Sequence, residues 1–81
     1  MWTQFEMTIE SPQEGRRHFE AEVRYFDTGS SWGIDGGKIS KLWARDKDSR
    51  KVVINYDRGW DIKPNTECEK ALLQALLNLY N

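Results

Sequence analysis

The sequence predicts an α+β domain in which a four-stranded antiparallel meander is packed on one face by a C-terminal helix. Three observations carry this expectation. Apolar and polar residues alternate with period two through much of the chain, the signature of strands with one wet face. Turn-forming clusters separate these stretches at short intervals. Residues 66–81 hold five leucines and neither glycine nor proline, with apolar positions at helical spacing.

The first strand is read from Phe5, Met7 and Ile9, which alternate with Gln4, Glu6, Thr8 and Glu10. Ser11-Pro12-Gln13-Glu14-Gly15 follows as a hairpin turn, because proline cannot donate to a ladder and glycine readily takes positive φ. From Arg16 to Phe26 the alternation resumes, with Phe19, Ala21, Val23 and Tyr25 on one side and His18, Glu20, Glu22 and Arg24 on the other. Asp27 to Gly37 is a loop holding four of the six glycines, with Trp32 and Ile34 as its apolar anchors. In the third strand, Lys38 to Arg45, the large residues Ile39, Leu42 and Trp43 break strict alternation. Either a bulge near Ser40 shifts the phase or both faces are covered. A polar turn, 46–50, leads to the fourth strand, Lys51 to Asp57, with Val52, Ile54 and Tyr56 facing one way.

Residues 58–65 form a connection whose Pro64 disfavours helix immediately before it. Thr66 and Glu69 match a capping box, which sets the helix start. Positions 68, 72, 75, 76 and 79 form its apolar face, widened by 73, 77 and 80, and the sheet is the partner available to cover it.

With 81 residues the chain accommodates one small domain, 1–81. Twelve basic against 13 acidic residues, a formal charge of -1, excludes a generally polycationic binder of nucleic acid or membrane. No apolar run is long enough to span a bilayer. Four tryptophans are many for this length, and several are expected to fill the core. A single cysteine, Cys68, and an N-terminus without a signal-like or lipidation pattern point to the reducing cytosol.

The string from Trp32 to Leu42, followed by Tyr56-Asp57-Arg58-Gly59-Trp60-Asp61, resembles small uncharacterised proteins of Firmicutes and their phages, classed as a domain of unknown function. The resemblance spans nearly the whole chain. It implies a run of strands closed by a terminal helix and an intracellular bacterial or phage setting, and it implies no activity, cofactor or partner.

The residues themselves assign no reaction. The loop from Gly33 to Gly37 fits neither phosphate-binding glycine pattern, and Asp35 would repel an anion. His18 falls on a polar strand face without a nucleophile tied to it, and Cys68 at the helix start is flanked by Glu67 and Glu69, which oppose thiolate formation. One histidine and one cysteine make no structural zinc site, so neither metal nor cofactor is expected. Asp57 and Asp61 bracket Arg58 and are expected to form an ion-pair network there, with Trp60 folded beneath.

Two surfaces are left. The leading expectation is a non-enzymatic accessory domain that binds a protein partner through Trp32 and Ile34 of the glycine-rich loop. The alternative is a nucleic-acid-binding module built on the third and fourth strands. There Lys38, Lys41, Arg45, Lys47, Arg50 and Lys51 outweigh Asp46 and Asp48, and Lys41, Trp43, Arg45 and Lys47 would meet phosphates and stack a base. Salt-bridging to the acidic second strand would weaken that alternative, and the sequence leaves the oligomeric state open.

Overall fold

Alternation becomes register. In the computed structural model, which describes residues 1–29 and 31–81, strands β1 (Trp2–Ser11), β2 (Gly15–Tyr25), β3 (Ile39–Asp46), β4 (Val52–Asp57) and β5 (Trp60–Ile62) pair antiparallel in chain order. Helix α1 (Glu67–Tyr80) follows. The expected meander and C-terminal helix are present, but the sheet has five strands rather than four. The segment read as a connection turns at Arg58, whose φ is 60°, and brings Trp60 opposite Tyr56 and Ile62 opposite Asn55. Three residues are too few to show an alternation, so this edge strand left no periodic signal.

Phe5, Ala21, Ala44 and Ile54 line up across the sheet, as do Thr3, Val23, Leu42 and Tyr56. These rows form the face covered by α1, whose Cys68, Leu72 and Leu76 are fully buried among Phe19, Val23, Leu42 and Ile54. Among the described residues no element covers the opposite face. The phase break in β3 is a bulge: Arg24 pairs with Lys41 but Tyr25 with Ile39, leaving Ser40 as the extra residue. A second irregularity sets Ala44 against Ile54 and Arg45 against Val52, so Val53 is buried and Val52, expected on the core side, is half-buried.

The capping box forms as expected. Thr66 Oγ1 accepts the Glu69 N–H, and Glu69 Oε1 accepts the Thr66 N–H, each at 3.3 Å. The helix face differs at its last turn: Leu79 is 63% exposed. Residues spaced by four, Cys68, Leu72 and Leu76, keep facing the sheet, and the next in that row is Tyr80. Its ring lies 4.9 Å from Tyr25 and 6.0 Å from Phe5.

The tryptophans do not fill the core, contrary to expectation. Trp2 and Trp32 are exposed, Trp43 lies on the uncovered face, and Trp60 is half-buried with an edge-on contact to Tyr56 at 5.1 Å. Aliphatic residues, Phe19 and Tyr56 suffice for a core this small.

Arg17 stands on the core side of β2, two residues before Phe19, where a cation needs partners. Its guanidinium donates to Glu14 at 2.8 Å, to Glu69 and Asp46 at 3.0 Å each, and to Thr66 Oγ1 at 3.1 Å. Burial works against its charge, but these carboxylates outweigh it and raise the Arg17 pKa. The Cys68 amide, donated to Glu14 Oε2 at 2.8 Å, lowers the Glu14 pKa to about 2, with Thr66 and Arg17 adding to the effect.

At the other end of α1, Asn81 holds the glycine-rich loop. Its Oδ1 accepts the Ile39 N–H at 3.1 Å and its Nδ2 donates to the Ile34 carbonyl at 3.0 Å. A short 3₁₀ turn, Ile34–Gly36, lies beneath, with Ile34 fully buried. Ser30 of this loop lies outside the described residues. Gly33 is required by space, since a Cβ there would stand 1.9 Å from the Gly37 carbonyl oxygen. Gly33→Ala should therefore lower stability by about 1 to 3 kcal/mol. Gly59→Ala, where a Cβ meets nothing within 4 Å, should stay within about 0.5 kcal/mol, and urea denaturation of both variants checks the contrast.

Candidate functional site

The site begins with side-chain parity. Because β1 residues of even number point away from the helix, Trp2, Gln4 and Glu6 stand on the uncovered face. The first row there runs Trp2, Arg24, Lys41, Asp57, and the next Gln4, Glu22, Trp43, Asn55, Ile62. All four residues expected for nucleic-acid binding are brought to this face, but its charge is cancelled. Lys41 Nζ lies 3.6 Å from Asp57, Arg45 is paired with Glu20, and Lys47 Nζ donates to Glu6 at 2.7 Å. The Glu6 carboxylate holds the Lys47 pKa above its usual range. Arg45 also lies over the Trp43 ring, 5.6 Å from its centroid. Charges segregated along the chain interleave once antiparallel neighbours meet.

At the loop end of this face the chemistry changes. Arg24 lies over the ring of Trp2 at 5.8 Å and over that of Phe26 at 5.4 Å, distances at which a guanidinium is attracted to an aromatic face. A shallow depression beside it is lined by Arg24, Phe26, Trp32, Ser40, Lys41 and Arg58. The Ser40 bulge shapes it, for the extra carbonyl accepts the Arg58 N–H at 3.1 Å and draws the β4–β5 turn against the loop. Trp2, Phe26 and Trp32 are 55%, 46% and 63% exposed. The Trp32 carbonyl accepts the Tyr56 hydroxyl at 2.9 Å, which ties the loop to β4.

Of the expected loop pair, only Trp32 is presented. Ile34 is 1% exposed and anchors the loop from below, so it offers no binding surface. Sequence reasoning missed Trp2, Arg24, Phe26 and Arg58 in this group. The parity of Trp2 with Glu6 could have found the first, but no local pattern reports the convergence of positions as far apart in the chain as Trp2, Arg24 and Arg58.

The remaining candidates stay separate. His18 is exposed near the far end of the strands and its Nδ1 shares a hydrogen bond with Thr8 Oγ1 at 3.0 Å. Cys68 is a buried free thiol. Asp57 pairs with Lys41 and Asp61 accepts from Asn55 at 3.4 Å; among the described residues neither forms the expected ion pair with Arg58. Among the described residues, no group of three His, Cys, Asp or Glu side chains could hold a metal ion, and no helix is long and apolar enough to cross a membrane.

No curated protein and no solved structure matches this chain. A family model, described as a domain of unknown function (DUF7678), matches residues 1–81. The sheet, its helix and the aromatic end of its open face are thus features of a member of that family, and this chain belongs to it.

Proposed function

We propose that this chain is a non-enzymatic binding module that docks a protein partner on the loop end of its uncovered sheet face. One observation supports this most: Trp2 and Phe26 are exposed against the Arg24 guanidinium, and Trp32 is exposed on the depression that Arg24, Phe26 and Arg58 also line. Exposed aromatics beside arginine are the groups that most often dominate a protein interface. Arg24 and Arg58 would select acidic residues on the partner. A reducing compartment such as the cytosol fits the single thiol, Cys68. The nucleic-acid reading has less support, because Lys41, Arg45 and Lys47 each already face a carboxylate.

The test compares proteins captured from lysate by the intact chain and by Trp32→Ala and Phe26→Ala, each shown folded by circular dichroism. A partner held by the parent should be lost, or its affinity reduced by about tenfold or more, in either variant. Retention of every partner by both variants sinks the assignment. Titration with single-stranded oligonucleotides at low salt should show no binding. Binding that Lys41→Glu abolishes would replace the protein reading with the nucleic-acid one.

A further inference from the structure

The two edges of the sheet are built differently. β5 is three residues long and is followed by Pro64, whereas β1 runs ten residues, Trp2–Ser11, without proline, lysine or a register shift. Short strands, prolines, charged side chains and bulges are the devices that keep an edge from pairing, and of these β1 carries only the charges of Glu6 and Glu10. Met1 and Tyr25 exchange both of their backbone hydrogen bonds, at 2.9 and 3.0 Å. Along the unbroken register, odd-numbered β1 residues therefore bond to β2, and the N–H and C=O groups of Trp2, Gln4, Glu6, Thr8 and Glu10 point to the free edge. Among the described residues no other strand takes them up.

From this edge we infer that β1 pairs antiparallel with β1 of a second copy of the chain, about a two-fold axis at Met7, to give one continuous ten-stranded sheet. The register is self-complementary. It sets Glu6 opposite Thr8 and Gln4 opposite Glu10 on the open face, so no like charges meet. On the helix face it sets Phe5 opposite Ile9 and Met7 opposite its own copy. The carboxylates of this edge are already neutralised, Glu6 by Lys47 at 2.7 Å and Glu10 by Arg16 at 3.0 Å. Apolar surface is available beside it: Phe5, Met7 and Ile9 are only half-buried, as are Leu73 and Leu77 of α1. Tyr80, on the same helical side as Leu73 and Leu77, stacks on Phe5, so that side is turned toward β1. A second copy covers both stripes and pairs the free backbone groups of Gln4, Glu6, Thr8 and Glu10.

Sedimentation equilibrium of the intact chain should give a mass of twice 9.5 kDa. A mass of 9.5 kDa at all concentrations up to about 1 mM overturns the inference. Thr8→Pro removes an amide that points outward, a place where an edge strand tolerates proline, and it should leave a folded monomer. A folded Thr8→Pro dimer also overturns it. If Thr8→Pro does not fold, mixing Glu6→Cys with Thr8→Cys under mild oxidation decides: a disulfide-linked heterodimer in excess over both homodimers supports the register, and equal or absent cross-linking refutes it.

Discussion

Arg17→Ala is expected to lower stability at pH 7 by about 3 to 5 kcal/mol, the range for removing one partner from a buried ion pair. Among the described residues its guanidinium is the single cation bonded to Glu14, Asp46 and Glu69, and its side chain is only 19% exposed. Removing it leaves three carboxylates facing one another and strips a donor from Thr66 of the capping box. Domains of this size hold only about 5 to 15 kcal/mol in total, so a large part of the population could unfold, which urea denaturation reads directly.

The same cluster sets a pH dependence. Burial works to raise the Asp46 and Glu69 pKa values, but amides of Ser49 and Asn65 and the Arg17 guanidinium outweigh it and hold both below their usual ranges. Glu14 is lowered to about 2. Folded carboxyls with depressed pKa values bind fewer protons than the unfolded chain. Their stabilisation is therefore complete above about pH 5 and is lost as the pH falls through 4 toward 2. The melting temperature of the parent should fall across that window. Arg17→Ala should lose less, because protonation relieves its carboxylate repulsion, so the gap between the two proteins narrows in acid. A gap that stays constant from pH 7 to pH 3 would contradict this account.

Leu76→Ala has the second large expected effect, about 2 to 5 kcal/mol. Leu76 is 0% exposed and sits in the row of α1 that closes the core, so its truncation leaves a void that the sheet cannot follow. Leu79→Ala, three residues on but 63% exposed, should change stability by no more than about 0.5 kcal/mol. Equal effects at the two positions would mean that α1 is rotated from the packing described.

Much of this architecture is legible in the residues because its determinants are local. The alternation of Phe19, Ala21 and Val23, the Thr66 and Glu69 pair and the broken phase at Ser40 each depend on neighbours a few positions apart. What escaped reading is long-range. Arg17 shares the parity of Phe19 and thus advertises a cation on the buried face, but its partner Asp46 lies 29 residues away and Glu69 lies 52 away. The basic run from Lys38 to Lys51 looks like a patch until Glu6 and Glu20 arrive from other strands. The tryptophans mislead for a related reason: bulk argues for the core, whereas the parity of Trp2 with Glu6 and, for Trp43, the register beyond the bulge set both on the other side.

The clamp of Asn81 on Ile34 and Ile39 joins residues 47 and 42 positions apart. Such a contact closes a long loop, whose entropic cost is lower once the nearer pairings are in place. The β1–β2 hairpin is held by neighbours in sequence, whereas the loop bearing Trp32 depends on Tyr56 and on the end of α1 for its constraints. The proposed docking surface is thus thermodynamically linked to the end of α1. A partner that grips the ordered loop stabilises every element behind it, and damage at the helix terminus is felt at the aromatic end of the sheet.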